Sequence, residues 1–449
     1  MRSARLWIVL FVVLAAPVLS AQSSSSPVPS QVHVLDPDVM GMVVRDPWFD
    51  YGTNPAFAGA NRSAQDRMGA ILAQAGVRWV RLDFRIAAGL DASQDFVDTE
   101  IAKNDYFIKE VAPRHGFKVL GLLAFDLLQG VDANLLDEVE AVDDPLYGGG
   151  VTPYMRVWLD RALRVADRYE GYVAAYQVLN EQNRLPQYLP GGPAGNAIEP
   201  SVVGRLVTKL YRFCRGIDLP VGQQARGCSG AQIILGGLHP RGTTDPVPQS
   251  DAEYLKDIYA DAGSFTGFYN RHNFWPIDGV GYHPYPEEIR QSLSKQVLVD
   301  QGLARVRQAL VEAGDPCRQL WVSEVGYNVG FDVDGPLNPI PRQTEQGQAE
   351  FMQDVYTTLA SRQICGGVRE IPHIFWFKYE DFPPATGANA QRWGIVQIPF
   401  RAPAPGESCP GGACYEVNGA PAMHRLAYFT YRELAGVQQP GIRLPLIFR

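Results

Sequence analysis

Several signatures are missing from this chain, and each absence removes a class of chemistry. No HExxH or GxSxG motif occurs, so the usual zinc-peptidase and serine-elbow hydrolase arrangements are not encoded. No GxGxxG or phosphate loop follows an early strand-like run, which speaks against a dinucleotide-binding sheet. None of the six cysteines shows the CxxC spacing of a zinc or redox site. His115, His272, His373 and His424 share no ligand spacing with one another, and neither a metal nor a cofactor is expected. Positive charge is in deficit: 40 Lys and Arg against 48 Asp and Glu leave a net charge of −8, a poor match for nucleic acid or anionic lipid. A long hydrophobic run is also lacking. Leu6 to Val18 spans about 13 apolar residues, short of the roughly 20 that a spanning helix needs.

That short run is informative in another way. Arg2 and Arg5 precede it and Ser20 and Ala21 follow it, so residues 1–21 read as a secretory signal, with no cysteine at the cleavage site to carry a lipid. Residues 22–37 read as a Ser/Pro-rich linker and 38–449 as one catalytic domain. The expected location is secreted or periplasmic, with no membrane attachment after cleavage. Six cysteines in an exported chain make disulfides plausible. The local pairings are Cys409 with Cys414 and Cys214 with Cys228, which leaves Cys317 with Cys365. Oligomeric state is not encoded in any pattern of the sequence.

Beyond the linker, strand-like apolar runs alternate with helix-period segments. The strand runs are Met40 to Arg45, Val77 to Phe84, Lys118 to Phe125, Val173 to Leu179, Ala231 to Leu238, Ile277 to Tyr282, Gln319 to Val325 and His373 to Phe377. The helical segments are Ser63 to Ala75, Asp98 to Arg114, Pro153 to Tyr169, Ser201 to Arg215, Asp251 to Ala262, Glu288 to Ala313, Thr344 to Ser361 and Pro421 to Leu434. Strict alternation of eight and eight predicts an α/β chain folded as a (β/α)₈ TIM barrel with long βα loops. The runs are apolar throughout rather than alternating, as strands covered on both faces should be. Pro399 to Gly419 reads as a long loop and Val437 to Arg449 as a tail.

Working residues of such a barrel gather at the C-terminal ends of its strands. Those ends supply Arg81 in WVRLDF, Asp126, the pair Asn180–Glu181 in LNEQN, His239, His283 and Tyr285 in GYHPYP, Glu324 in WVSEVGYN, and Trp376 in FWFKYED. Two glutamates on separate strand ends are what a sugar-cleaving barrel needs to place an acid and a nucleophile about one glycosidic bond. Glu324 is expected to be kept ionised by Arg81 and Tyr285, and Glu181 to have its pKa raised by burial and by the nearby negative charge. Strand alternation would point Asn180 and Glu181 to opposite faces, so a kink at that strand end is also expected. Trp48 and Trp275 are candidates for outer sugar contacts.

LNEQN, GYHPYP, WVSEVGYN and IFWFKYED, in that strand order, resemble the clan A glycoside hydrolases, and WVRLDF with the strand-six and strand-eight ends is similar to families 39 and 5. The resemblance runs over residues 38 to 436 and implies a retaining, two-glutamate glycosidase acting on a poly- or oligosaccharide. It implies Glu181 as acid/base, Glu324 as nucleophile, Asn180 as a partner of the sugar 2-hydroxyl, Arg81 as support of the nucleophile, His283 and Tyr285 as the strand-six pair and Trp376 as a stacking platform. His239 and Asp126 are further candidates for substrate binding. A carbohydrate-binding protein on the same barrel, without turnover, is the alternative. Sugar, linkage and endo or exo action are not encoded in these motifs.

Overall fold

The structure is a computed structural model that describes residues 34–50, 58–192, 196–240, 249–285, 295–329, 344–383, 392–407, 409, 413–416 and 418–437. The expected signal, most of the linker, the tail beyond 437 and the loop from Phe331 to Arg342 lie outside these residues.

Eight strands close a barrel: β1 (Met40–Arg45), β2 (Trp79–Asp83), β3 (Lys118–Leu123), β4 (Val173–Asn180), β5 (Gln232–Leu238), β6 (Gly279–Tyr282), β7 (Leu320–Gly326) and β8 (Ile374–Phe377). Each strand pairs in parallel with its sequence neighbours, and β8 pairs with β1 to complete the ring. The crossovers are α1 (Ala58–Ala75), α2 (Gln94–Ala102), α3 (Pro153–Arg168), α4 (Pro200–Arg215), α5 (Asp251–Ala260), α6 (Lys295–Glu312), α7 (Glu345–Ala360) and α8 (Leu426–Leu434). Most helical segments expected from periodicity are present with shifted ends, but Asp98 to Arg114 is broken after Ala102 and resumes as a π-helical turn at Tyr106–Val111, the start of Pro421 to Leu434 is the short strand Met423–His424, and residues 288–294 of the segment expected from Glu288 lie outside the described residues. Thr152 accepts from the Met155 amide to start α3, and Ser250 with Glu253 forms a reciprocal capping box on α5. A further helix, Phe265–His272, follows α5.

Alternation along the strands sorts the side chains into two layers. Val43, Trp79, Leu120, Ala175, Ile234, Trp321 and Phe375 point inward and fill the barrel floor, while Met42, Val80, Tyr176, Val322, Val325 and Trp376 point outward into the layer under the helices. Trp79 and Trp321 meet edge to face at 5.4 Å, with the His373 ring 4.2 Å and 4.3 Å from them. Gly279 makes room for this floor, because a Cβ there would sit 2.8 Å from the Trp321 ring. Burying side chains of this size contributes about 1.5–3 kcal/mol each. A barrel plugged at its base leaves only the opposite rim open for chemistry.

The stretch read as a loop from Pro399 to Gly419 carries short strands instead. Phe400–Arg401 pairs with Cys414–Tyr415, and Val396–Gln397 pairs with Met423–His424. Disulfides join Cys409 to Cys414, Cys214 to Cys228 and Cys317 to Cys365. Among the described residues no helix is long and apolar enough to cross a membrane.

Candidate active site

Two backbone irregularities bring the glutamates to the open rim. On β4, Leu179 has φ +67° and Glu181 φ +49°, a left-handed kink that turns Glu181 toward the mouth beside Asn180. On β7, Val322 pairs with Ile374 and Val325 with Trp376, so Ser323 and Glu324 together face the single residue Phe375. That extra residue is a bulge, and it sends Glu324 inward where plain alternation would send it out. Carboxylate oxygens of Glu181 and Glu324 thereby lie within 4.8 Å of each other.

The surroundings of the two carboxylates differ. Arg81, on β2, donates from Nη1 to Glu324 Oε1 at 2.6 Å and from Nη2 to Asn180 Oδ1 at 2.8 Å. The Tyr285 hydroxyl donates to Glu324 Oε2 at 3.0 Å. Burial pushes the Tyr285 hydroxyl far up, and the negative charges of Glu324 and Glu181 add to it, so it stays a proton donor. Glu181 instead faces two imidazoles. His283 Nδ1 is 2.9 Å and His239 Nδ1 3.5 Å from Glu181 Oε1. The Arg184 guanidinium lies 2.9 Å from His239 Nε2; since it can only donate, Nε2 accepts and the His239 proton sits on Nδ1, facing Glu181.

Glu181 departs from the expectation of a raised pKa. Burial does push its carboxyl up, but hydrogen bonds from His239 and His283 outweigh that and hold it below the usual carboxylate range. The sequence shows the neighbouring carboxylate and the apolar strand, yet not that two imidazole donors converge on one oxygen.

Between the glutamates and β1–β3 lies a cavity of about 310 Å³, lined among others by Arg45, Asp83, Arg85, Asp126, Asn180, Glu181, Tyr188, Glu324, Phe377 and Phe382. Asp126 is therefore at the site. Burial pushes its carboxyl up, Arg85 pulls it back and Asp83 pushes it up again, and the upward shift prevails.

Trp376 is a correction. It is fully buried in the outer layer, with its ring 6.2 Å from Phe351 on α7, and presents no face to a sugar. Alternation on β8 puts Phe375 inward, Trp376 outward and Phe377 inward, so Phe377 lines the cavity in its place. Phe377, Tyr285 and Trp393 form an aromatic wall, with Tyr285 and Phe377 each 5.7 Å from the Trp393 ring. Trp275 is likewise core, packed on Tyr259 and Tyr269. Sequence reading missed Phe377, Tyr188, Arg45 and Arg85; the positive φ of Arg45 at +54° marks a strained strand end that only coordinates disclose.

One feature of β5 completes the site. A Cβ on Gly237 would sit 2.0 Å from His283 Nε2, so the imidazole packs directly on bare backbone. The ligand atoms of Glu181, His283 and Glu324 are close enough to bind a cation, but they are already engaged with one another, with Arg81 and with Tyr285. Cys409 and Cys414, which lie near Glu407, are held in a disulfide and offer no thiolate.

No protein-family model and no curated protein matches the chain. Solved structures do. A GH5_18 structure from Streptomyces cattleya in complex with GlcNAc superposes at TM-score 0.54 and 12% identity, over 92% of this chain and 83% of that one. A monomeric beta-xylosidase from Caulobacter crescentus CB15 gives TM-score 0.50 at 12% identity, over 88% and 67%. A family 39 glycoside hydrolase from the gut symbiont Bacteroides cellulosilyticus WH2 gives 0.47 at 12%, over 90% of this chain and 65% of that chain. The barrel fold is shared with the first two of these structures.

Proposed function

We propose that this protein is an exported, retaining glycoside hydrolase of the clan A type, similar to families 39 and 5, that cleaves O-glycosidic bonds of a poly- or oligosaccharide. The observation that carries the reading is the approach of Glu181 and Glu324 to within 4.8 Å at a barrel rim, one beside a guanidinium and one beside imidazoles. Retaining enzymes hold their carboxyl groups about 5–5.5 Å apart, whereas inverting ones need about 6.5–9.5 Å to admit a water.

In this reading Glu324, oriented by Arg81 and Tyr285, attacks the anomeric carbon while Glu181 protonates the departing oxygen. A glycosyl ester on Glu324 results, and water activated by Glu181 then hydrolyses it with net retention. Asn180, fixed by Arg81, offers its amide to the sugar hydroxyl next to the reacting carbon. Side chains supply both the nucleophile and the proton, so the reaction requires no cofactor. Three disulfides and the sequence of residues 1–21 support export.

The test is trapping with 2-fluoro glycosides followed by peptide mapping. A label on Glu324 within WVSEVGYN is the expected result, with anomeric retention seen by NMR. Binding of glycans without turnover across a broad panel would instead mark a carbohydrate-binding protein.

A further inference from the structure

The part of the cavity formed by the ends of β1, β2 and β3 is walled by a set of residues that the reaction itself does not use. Arg45 Nε stands 3.7 Å from Asp83 Oδ2, and Arg85 Nε stands 3.8 Å from Asp126 Oδ1, so cation and acid alternate around one wall. Asp83 is only 9% exposed, and its Oδ1 accepts no hydrogen bond among the described residues. Facing this wall are aromatic groups. Tyr188, from the β4–α4 loop, lines the cavity yet is 70% exposed, and Phe382 lies beneath the Arg45 guanidinium at 4.8 Å. An apolar ring that accessible inside a concave site is awaiting a ligand face rather than completing a core.

From this arrangement, and resting on the glycosidase reading, we infer that Arg45, Asp83, Arg85, Asp126 and Tyr188 form a second sugar subsite, adjacent to the one attacked, that is selective for uncharged sugars. Neighbouring ring hydroxyls are each donor and acceptor at once. Alternating carboxylates and guanidiniums satisfy both functions, with charge-assisted bonds worth about 1.5–3 kcal/mol each, while Tyr188 stacks on the C–H face of the ring. Selectivity follows from the charge of the lining. With Glu324 offset by its ion pair to Arg81, the lining sets Asp83, Asp126 and Glu181 against the guanidiniums of Arg45 and Arg85. A uronate or sulfated sugar would enter against that excess of negative groups. The cavity volume, about 310 Å³, is at the small end of the roughly 300–1,000 Å³ range of ligand pockets, which suits a short stretch of glycan.

Binding is best read apart from catalysis, in a Glu324→Gln background, by calorimetry with cello-, manno- and xylo-oligosaccharides of one to four units and with oligogalacturonates of the same lengths. At least one neutral series should gain about tenfold or more in affinity from one to two units, and the oligogalacturonates should bind more weakly than that series. Adding Tyr188→Ala, at an exposed position whose loss leaves the core intact, or the isosteric Asp126→Asn should erase the length-dependent gain. Uronate chains binding more tightly than neutral ones, no length dependence in any neutral series, or a gain untouched by both variants would overturn the inference. Absence of turnover by the wild-type protein, with this binding pattern intact, would overturn the hydrolase reading and leave the subsite standing.

Discussion

Arg81 and Glu324 form a 2.6 Å ion pair at the heart of the barrel, with the Arg81 side chain 1% exposed. Burial alone would weaken the guanidinium's hold on its proton, but the Glu324 charge reverses this and keeps Arg81 cationic. The fork then spans two functions, with one arm on the nucleophile and the other on Asn180. Lysine delivers a similar charge but cannot reach both partners in a fixed geometry. Arg81→Lys is expected to lower kcat/KM about 10- to 100-fold, the worth of one charge-assisted bond, with a smaller change in Tm. Steady-state kinetics beside thermal unfolding checks this, and a loss of stability matching the loss of rate would argue for a purely structural pair.

The two glutamates are expected to separate by leaving group. Glu324→Gln should abolish turnover of every substrate, because no other nucleophile stands at that position. Glu181→Gln should cost far less in the glycosylation step for dinitrophenyl-type leaving groups than for alkyl or sugar ones, since a good leaving group needs little proton donation. A Brønsted series on the variant measures the difference; equal losses along the series would contradict the assignment of the acid.

The lowered pKa of Glu181 has a definite sign in the pH profile. A general acid must start protonated, and kcat/KM reports the free protein. With the carboxyl held below its usual value of about 4.3 by His239 and His283, the protonated fraction is already falling at mildly acidic pH. We expect kcat/KM for poor leaving groups to decline steadily from about pH 5 to 7. Replacing His239 by Ala removes one donor to the carboxylate, raises its pKa and should move the decline to higher pH. A shift toward acid, or none, would show that His239 does not control the proton on Glu181.

Much of the barrel could be read from the chain before any coordinates. Continuous apolar runs such as KVLGLL and VAAYQVL follow from burial on both faces, and the strands begin and end within a few residues of those runs. The site residues at strand ends were legible for the same reason. What stayed hidden depends on parity and on backbone deviations. Trp376 and Phe377 are adjacent, and one residue of register decides which faces the cavity. Glu324 reaches the rim only because β7 carries an extra residue. Tyr188 and Arg85 follow strand ends in segments without periodicity, and Arg45 closes β1 in a left-handed conformation, so no pattern ties them to the glutamates. The raised Asp126 and lowered Glu181 depend on neighbours distant in sequence.

Gly237 offers a test of how tightly the rim is assembled. His283 Nε2 occupies the space where a Cβ would go, and no hydrogen-bond partner for that nitrogen lies among the described residues. Gly237→Ala should push the imidazole off Glu181, costing about 1–3 kcal/mol of stability through overpacking and at least tenfold in kcat/KM. Replacing His283 by Ala in the same chain should restore the lost stability without restoring the rate. If the double variant were no more stable than Gly237→Ala alone, the contact would not be the source of strain.

His373 should govern stability in acid. Its ring is wedged between Trp79 and Trp321, and burial pulls its pKa down to about 4, against the hydrogen bond that Nδ1 makes to the Asp38 carbonyl at 2.6 Å. The unfolded chain protonates this group near pH 6.5 and the native barrel floor does not until about pH 4, so between those values the unfolded state binds the extra proton. Stability is then complete above about pH 6.5 and falls as the pH drops toward 4, by about 3 kcal/mol if nothing else titrates. A His373→Phe variant keeps an aromatic ring in the floor without a basic nitrogen. Chemical denaturation of both proteins between pH 7 and 4 should show a flatter dependence in the variant, and parallel curves would mean that other groups set the acid sensitivity.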